Sequence, residues 1–275
     1  MTNLTTTVPN LANDGCVSIL GVKVHATRMD RALSRVDSLV ASGGKNYVCV
    51  TGVQGVMEAQ VDPNLKRIIN HAALNIPDGR PTVWVGWLRG FFQMRQVTGP
   101  DMMLKIFGRS AEKGYTHFFY GGNTGVAEQL KNELTQNFPG AKVVGTYTPP
   151  FRPLNSEEEA ELIRTVGELK PDFFWVGLGT PKQEKFMDEY LPKLDTRLML
   201  SVGAAFDIHT GRIKDAPYWM KVVGLQWCHR IYQDPARLWK RYCVNNPKFL
   251  YYLVLEFLGL ANYEGTEGRQ HESRA

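Results

Sequence analysis

Short apolar runs rich in β-branched and aromatic residues recur along the chain at 47–50, 117–120, 142–144, 173–176 and 198–202. Each runs into a glycine-containing turn and then into a segment of helical character. This alternation predicts an α/β fold with a doubly wound, mostly parallel sheet and crossover helices. Ligands of such sheets sit beyond the carboxyl ends of the strands, where loops enter helix N-termini. Three loops of that kind stand out: Thr51-Gly52-Val53-Gln54-Gly55, Gly121-Gly122-Asn123-Thr124-Gly125, and Gly177-Leu178-Gly179-Thr180-Pro181-Lys182-Gln183-Glu184. At each, free backbone N–H groups and the helix dipole suit a phosphate.

The pattern changes after Gly211. Residues 212–248 hold eight Lys/Arg against two acids, a local net of +6, interleaved with Trp219, Trp227, Tyr232, Trp239 and Tyr242. Cations among aromatics suit a membrane interface or an anionic ligand. Asp234-Pro235 and Asn246-Pro247 read as N-caps followed by proline, predicting short helices bent at both points. The apolar stretch 249–260 is too short to span a bilayer and contains Glu256, so a surface-lying or packing helix is expected.

With 275 residues, 43% of them hydrophobic, the chain can bury one substantial core. The expected organisation is a flexible segment at 1–15, an α/β core at 16–211, a basic and aromatic appendage at 212–260, and a disordered polar tail at 261–275. The overall charge of +5 is modest beside its local concentration. Four cysteines without a CxxC pair point to a reduced, intracellular protein, and the first residues lack the pattern of a signal peptide.

Pro77-Asp78-Gly79 places a carboxylate on a turn directly after a short apolar segment. Such a turn is often only a turn; as chemistry, Asp78 is a general base for an attacking hydroxyl. Pro181-Lys182-Gln183-Glu184 is equally a helix start and a ligand-binding loop, and the glycines before it favour close backbone approach. The chain has no Asp-x-Asp, and its six histidines lack ligand spacing, so no metal is expected at the reaction centre and no cofactor is called for. Arg230, Arg237, Lys240 and Arg241 are the candidates for neutralising a diphosphate, against the plainer reading of a solvated basic face.

These segments, in this order, resemble the WecG/TagA/CpsF family of inverting glycosyltransferases. The resemblance rests on Pro77-Asp78-Gly79 with Trp84, Val97-Thr98-Gly99-Pro100-Asp101, Phe118 to Gly122, the loop from Val176 to Glu184, Val202 to Asp207, Gly224 to Trp227, Arg230, and Asp234-Pro235-Ala236-Arg237-Leu238 with Arg241-Tyr242. It implies a Rossmann-like core, a UDP-sugar donor carrying a hexose or N-acetylhexosamine, and an undecaprenyl-diphosphate-linked acceptor. It implies Asp78 as catalytic base, and Thr51, Gln54, Arg95, Gly121, Gly122, Gly179, Gln183 and Glu184 around the donor and its diphosphate. Arg230, Arg237, Lys240 and Arg241 would face the acceptor diphosphate or the membrane. An exopolysaccharide role at the inner face of the cytoplasmic membrane follows from the same resemblance. Where the family carries Asn, Arg, Arg and Glu, this chain has Gly52, Gln96, Asp215 and Gln226. These departures motivate an alternative, a non-catalytic membrane-associated assembly subunit. A nucleotide-cofactor oxidoreductase lacks its glycine fingerprint, and the apolar continuation of the basic segment favours a membrane over nucleic acid. A homo-oligomer is compatible with the sequence.

Overall fold

All five apolar runs become strands of one parallel sheet, and the segment before Asp78 becomes a sixth. The computed structural model of the chain describes residues 15–263. The sheet runs in the order β4 (Leu74–Pro77), β3 (Asn46–Thr51), β8 (Leu198–Ser201), β7 (Phe173–Gly177), β5 (Thr116–Gly121) and β6 (Lys142–Tyr147), with every pairing parallel. All six carboxyl ends therefore open on one edge.

Side chains alternate between the two faces of each strand, and the core divides accordingly. Phe118, Tyr120, Phe174, Val176 and Met199 pack with α2 (Val53–Val61), α3 (Pro63–His71), α7 (Ser156–Leu169) and α8 (Lys182–Tyr190). Phe119, Phe173, Trp175, Leu198 and Leu200 pack with α1 (Met29–Ala41), α5 (Gly99–Lys113), α6 (Val126–Asn137) and α9 (Ala205–His209). The result is the expected doubly wound, Rossmann-like three-layer fold. In the second layer lies a buried polar knot. Trp175 Nε1 donates to His117 Nδ1 at 3.1 Å, so the ring proton sits on Nε2 and donates to Ser110 Oγ at 2.7 Å. Ser110 passes its own hydroxyl hydrogen to the Ile106 carbonyl.

An additional antiparallel hairpin, β1 (Cys16–Ile19) with β2 (Val22–His25), covers the β4 side of the sheet. Asn75 ties it down: its N–H donates to His25 Nδ1 and its Nδ2 to the Lys23 carbonyl.

The C-terminal segment forms α10 (Tyr218–Val222), α11 (Gln226–Gln233) and α12 (Pro235–Phe257), with Asp234-Pro235 at the start of α12 as read from the sequence. The break expected at Asn246-Pro247 does not occur, because α12 runs through Pro247. Phe249 and Leu253 are buried in the first core layer, and their burial offsets the lost hydrogen bond and the clash of an internal proline, about 3 kcal/mol. Pro181 also differs from expectation: it precedes α8 rather than opening it, and the Thr180–Pro181 bond is cis. Arg89, just after α4 (Arg80–Leu88), pairs with Glu256 at 2.5 Å and lies over the Phe257 ring. Tyr263 lies against Tyr252 with the two rings tilted, and its carbonyl accepts from Lys66, so the start of the expected polar tail is packed on the core. The rest of that tail, and residues 1–14 of the N-terminal segment, lie outside the described residues.

Candidate active site

Asp78 follows the last residue of β4, and its backbone is held on both sides. Its N–H donates to the Thr51 carbonyl at 3.1 Å, and its own carbonyl accepts from Gln96 Nε2 at 2.5 Å. Gly52 lies against the carboxylate: a Cβ there would stand 3.7 Å from Oδ2. The N–H of Gly99, the first residue of α5, donates toward the carboxylate, so the charge sits on a helix N-terminus. Gly99 itself fits because its Cα abuts Val202, where a Cβ would come within 3.1 Å of the Val202 carbonyl oxygen. Burial pushes the Asp78 carboxyl up to about 6, against the opposing pull of Arg230, the Gly99 N–H and Arg241; Asp101 adds a further upward push. A carboxylate held there takes up a proton near neutral pH, as a general base requires.

A second polar cluster lies beyond β7 and β8. Gln183 Oε1 accepts the backbone N–H groups of Gly179, at 3.2 Å, and Gly203, at 3.0 Å. Its Nε2 donates to Glu184 Oε1 at 2.9 Å and to Thr180 Oγ1 at 3.4 Å. The amide is thus spent on joining the β7–α8 loop to the β8–α9 loop, and a flip would aim N–H groups at N–H groups. Thr180 Oγ1 donates to Glu184 Oε1, while Gln54 Nε2 reaches from the β3–α2 loop to the Thr180 carbonyl at 3.3 Å. Within this cluster, two buried oxygens remain without a hydrogen-bond partner among the described residues, Gln54 Oε1 and Glu184 Oε2.

Cations come from the C-terminal helices. Arg230 on α11 acts on Asp78, and Arg241 on α12 acts on both Asp78 and Glu184. Arg241 and Lys240 line a cavity of about 520 Å³ with Gln54, Glu58, Val244 and Asn245. Arg80, two residues past Asp78, donates from Nε to the Lys221 carbonyl, and Gly224 rests on the Trp84 ring. The appendage is thereby seated on the helix that follows the candidate base.

The fold brings Thr51, Gln54, Asp78, Gly179, Gln183, Glu184, Arg230, Lys240 and Arg241 to this edge. The side chain of Arg237 lies outside the described residues. Arg95 is not brought in: it is exposed, donates to the Phe92 and Met94 carbonyls at 2.6 and 2.9 Å, and lies over Trp87. Gly121 and Gly122 serve strand packing, since a Cβ at Gly121 would come within 2.6 Å of the Gly177 carbonyl oxygen, to which the Gly122 N–H donates. Of the departures, Gln96 fixes the Asp78 backbone and Asp215 pairs with Lys221. Thr180, at the centre of the second cluster, is not among the residues expected from the sequence; its signal there is its place between Gly179 and the cap-like Pro181.

A parallel α/β sheet with a buried carboxylate at its carboxyl edge, a backbone N–H beside it and two arginines within electrostatic reach has the make-up of a group-transfer site. The chain belongs to the glycosyl transferase WecG/TagA/CpsF family, which it matches over residues 17–263, and is accordingly a glycosyltransferase. It is 27% identical over 193 residues to the N-acetylglucosaminyldiphosphoundecaprenol N-acetyl-β-D-mannosaminyltransferase of Bacillus spizizenii, covering 70% of this chain and 72% of that protein. The enzyme of the same name from Bacillus subtilis is 26% identical over 182 residues, 66% of this chain and 68% of its own length.

Proposed function

We propose that the protein transfers a hexose or N-acetylhexosamine from a UDP-sugar to a polyprenyl-diphosphate-linked saccharide, with inversion, in the assembly of an exopolysaccharide or another surface polysaccharide. The observation that carries this reading is Asp78, a carboxyl with its affinity for protons tuned to about 6, facing Arg230 and Arg241. Asp78 removes the proton from the acceptor hydroxyl as its oxygen attacks the anomeric carbon; the bond to the UDP oxygen breaks on the opposite face. Arg230, Arg241 and Lys240 stabilise the charge developing on the departing diphosphate, an electrostatic contribution of the size that dominates many active sites. The sequence has no Asp-x-Asp to recruit a divalent ion for that task. The acceptor class is taken from the two Bacillus relatives, whose names specify a diphosphoundecaprenol-linked sugar.

A membrane-surface location accords with α12. Phe249 and Leu253 face the core, while Leu250, Val254 and Phe257, 62%, 54% and 51% exposed, stand on the surface near Lys248. Apolar side chains with adjacent cations suit the headgroup region of an anionic inner leaflet. No helix of the described residues is long and apolar enough to cross a membrane.

The deciding experiment measures UDP release from a panel of UDP-sugars with a short-chain polyprenyl-diphosphate-sugar acceptor and EDTA present. Acceptor-dependent release that survives EDTA and collapses in Asp78→Asn supports the reading and names the donor. No release from any donor, with folded protein and vesicles supplied, removes it.

A further inference from the structure

Leu88 and Phe92, in the turn that follows α4, are 73% and 71% exposed, yet the backbone that carries them is firmly held. The N–H of Arg89 donates to the Val85 and Gly86 carbonyls, that of Phe91 to Gly86 at 2.9 Å, and that of Met94 to Phe91 at 3.0 Å. Gly90 supplies the left-handed residue of the turn, at φ 88°. Met94 is buried against Gly86, where a Cβ would meet its sulfur at 2.3 Å. From outside, Arg95 closes the turn: its Nη1 donates to the Phe92 and Met94 carbonyls, and its guanidinium lies over Trp87, whose Nε1 donates to Met94 at 3.0 Å. A rigid scaffold thus holds two large apolar side chains out in water, and an exposed apolar patch of this kind marks an interaction surface.

The surroundings say what the partner is. Trp84, one turn before Leu88 on the same face of α4, is also exposed, and Gly224 rests on its ring, bringing exposed Val223 alongside. Arg89 brings the end of α12 beside the turn by pairing with Glu256 and lying over Phe257. Residues 79–100 contain three arginines, Arg80, Arg89 and Arg95, and no acid. An apolar surface edged by arginine suits an anionic lipid headgroup layer above acyl chains. A second copy suits it poorly, because a two-fold contact sets the patch against itself and Arg95 against arginine, with Glu256 already engaged by Arg89. Location agrees. Helix α4 begins two residues after Asp78 and spans nine residues, about 13 Å, so a bilayer resting on this turn comes close to the base, as delivery of a lipid-linked acceptor requires.

We infer that Leu88, Phe92 and Arg95 form a membrane-docking surface on the α/β core itself, with the two apolar side chains entering the acyl boundary of an anionic leaflet and Arg95 meeting its lipid phosphates. This rests on the membrane-surface reading above, and adds to the face of α12 a second contact on a different element. Two contacts, one on the core and one on the appendage, fix how the base is turned toward the leaflet. Arg95, expected from the sequence at the donor, acquires a lipid phosphate in its place.

The test is cosedimentation of the full chain with vesicles of phosphatidylcholine, alone or with phosphatidylglycerol added, for wild type, Leu88→Ser with Phe92→Ser, and Arg95→Gln. The double variant should bind phosphatidylglycerol vesicles about tenfold more weakly, with its melting temperature nearly unchanged because both side chains are exposed. Its turnover of a short-chain soluble acceptor should stay near wild type while that of a vesicle-borne long-chain acceptor falls severalfold. Arg95→Gln should lose about fivefold on anionic vesicles and little on neutral ones, and Arg95→Lys should restore the loss. Contact is read directly from Phe92→Trp, whose added fluorescence should be quenched by bromine-labelled acyl chains; Phe151→Trp, on the loop after the opposite edge strand β6, should add fluorescence that is not. Unchanged vesicle binding in the double variant, from a wild type that does bind, overturns the inference and leaves α12 as the contact. Loss of self-association in its place, seen by sedimentation velocity, assigns the turn to a second copy and overturns it as well. A wild-type protein that binds no vesicle removes the membrane reading itself, and this inference with it.

Discussion

The backbone N–H of Asp78 donates to the carbonyl of Thr51 at 3.1 Å, hanging the candidate base from the end of the neighbouring strand. Because Thr51 pairs with Pro77 across the sheet, the carboxylate is fixed by strand register rather than by a mobile loop. The burial of its carboxylate is what disfavours the charge, and it outweighs Arg230, Arg241 and the Gly99 N–H.

That environment sets activity against stability. The folded carboxyl is raised to about 6 from 3.8, so stability from this group is complete below about 4 and is lost as pH rises through 6. Asp78→Asn should therefore lower turnover by roughly 10²–10⁴-fold while raising stability at pH 7.5 by on the order of 1–3 kcal/mol. Denaturant unfolding beside the UDP-release assay checks both; a variant that is inactive and also destabilised would count against this account.

Turnover should rise with pH through an apparent value near 6, as Asp78 loses its proton. Arg230 pulls that value down, so Arg230→Gln should move the rising limb to higher pH. A pH profile of kcat/KM for the two proteins measures the displacement, and coincident limbs would show that Arg230 does not act on the base.

Gln183→Leu keeps the bulk of the side chain but strands the N–H groups of Gly179 and Gly203, which both donate to its oxygen. A loss of about 1–3 kcal/mol in stability is expected, with a fall in kcat larger than the rise in KM for UDP-sugar. A rise in KM alone would instead mark Gln183 as a direct ligand contact.

His117 is buried as a neutral ring, with burial lowering its affinity for protons to about 3. The folded state refuses a proton that the unfolded chain accepts below about 6.5. Stability is thus intact above 6.5 and falls toward pH 3, with a slope of up to about 1.4 kcal/mol per pH unit from this residue. His117→Gln should flatten that part of the stability curve, measured by urea unfolding between pH 4 and 7.

The exposed face of α12 gives a prediction independent of catalysis. Leu250→Glu with Val254→Glu should weaken binding to anionic vesicles severalfold and leave thermal stability nearly unchanged, since both side chains are exposed. Cosedimentation and a melting curve together distinguish lost membrane contact from lost folding.

Apolar runs of three to five residues, each leading into glycine and a helix, determined the parallel sheet and the edge at which Asp78, Gln54 and Gln183 would stand, because the pattern of burial is written in consecutive residues. The hairpin was less legible: its buried positions Val17, Ile19, Val22 and Val24 alternate, but its turn puts Leu20, not the usual Asn or Gly, at φ 50°. Continuation of α12 through Pro247 was decided by tertiary burial of Phe249 and Leu253, which local propensity does not contain. The same holds for the division of labour among the site residues. Gln54 meets Thr180 across 126 positions of sequence and Gln183 meets Gly203 across 20. Which polar atoms of these loops are satisfied, and by what, depends on partners that only the folded sheet brings within hydrogen-bonding distance.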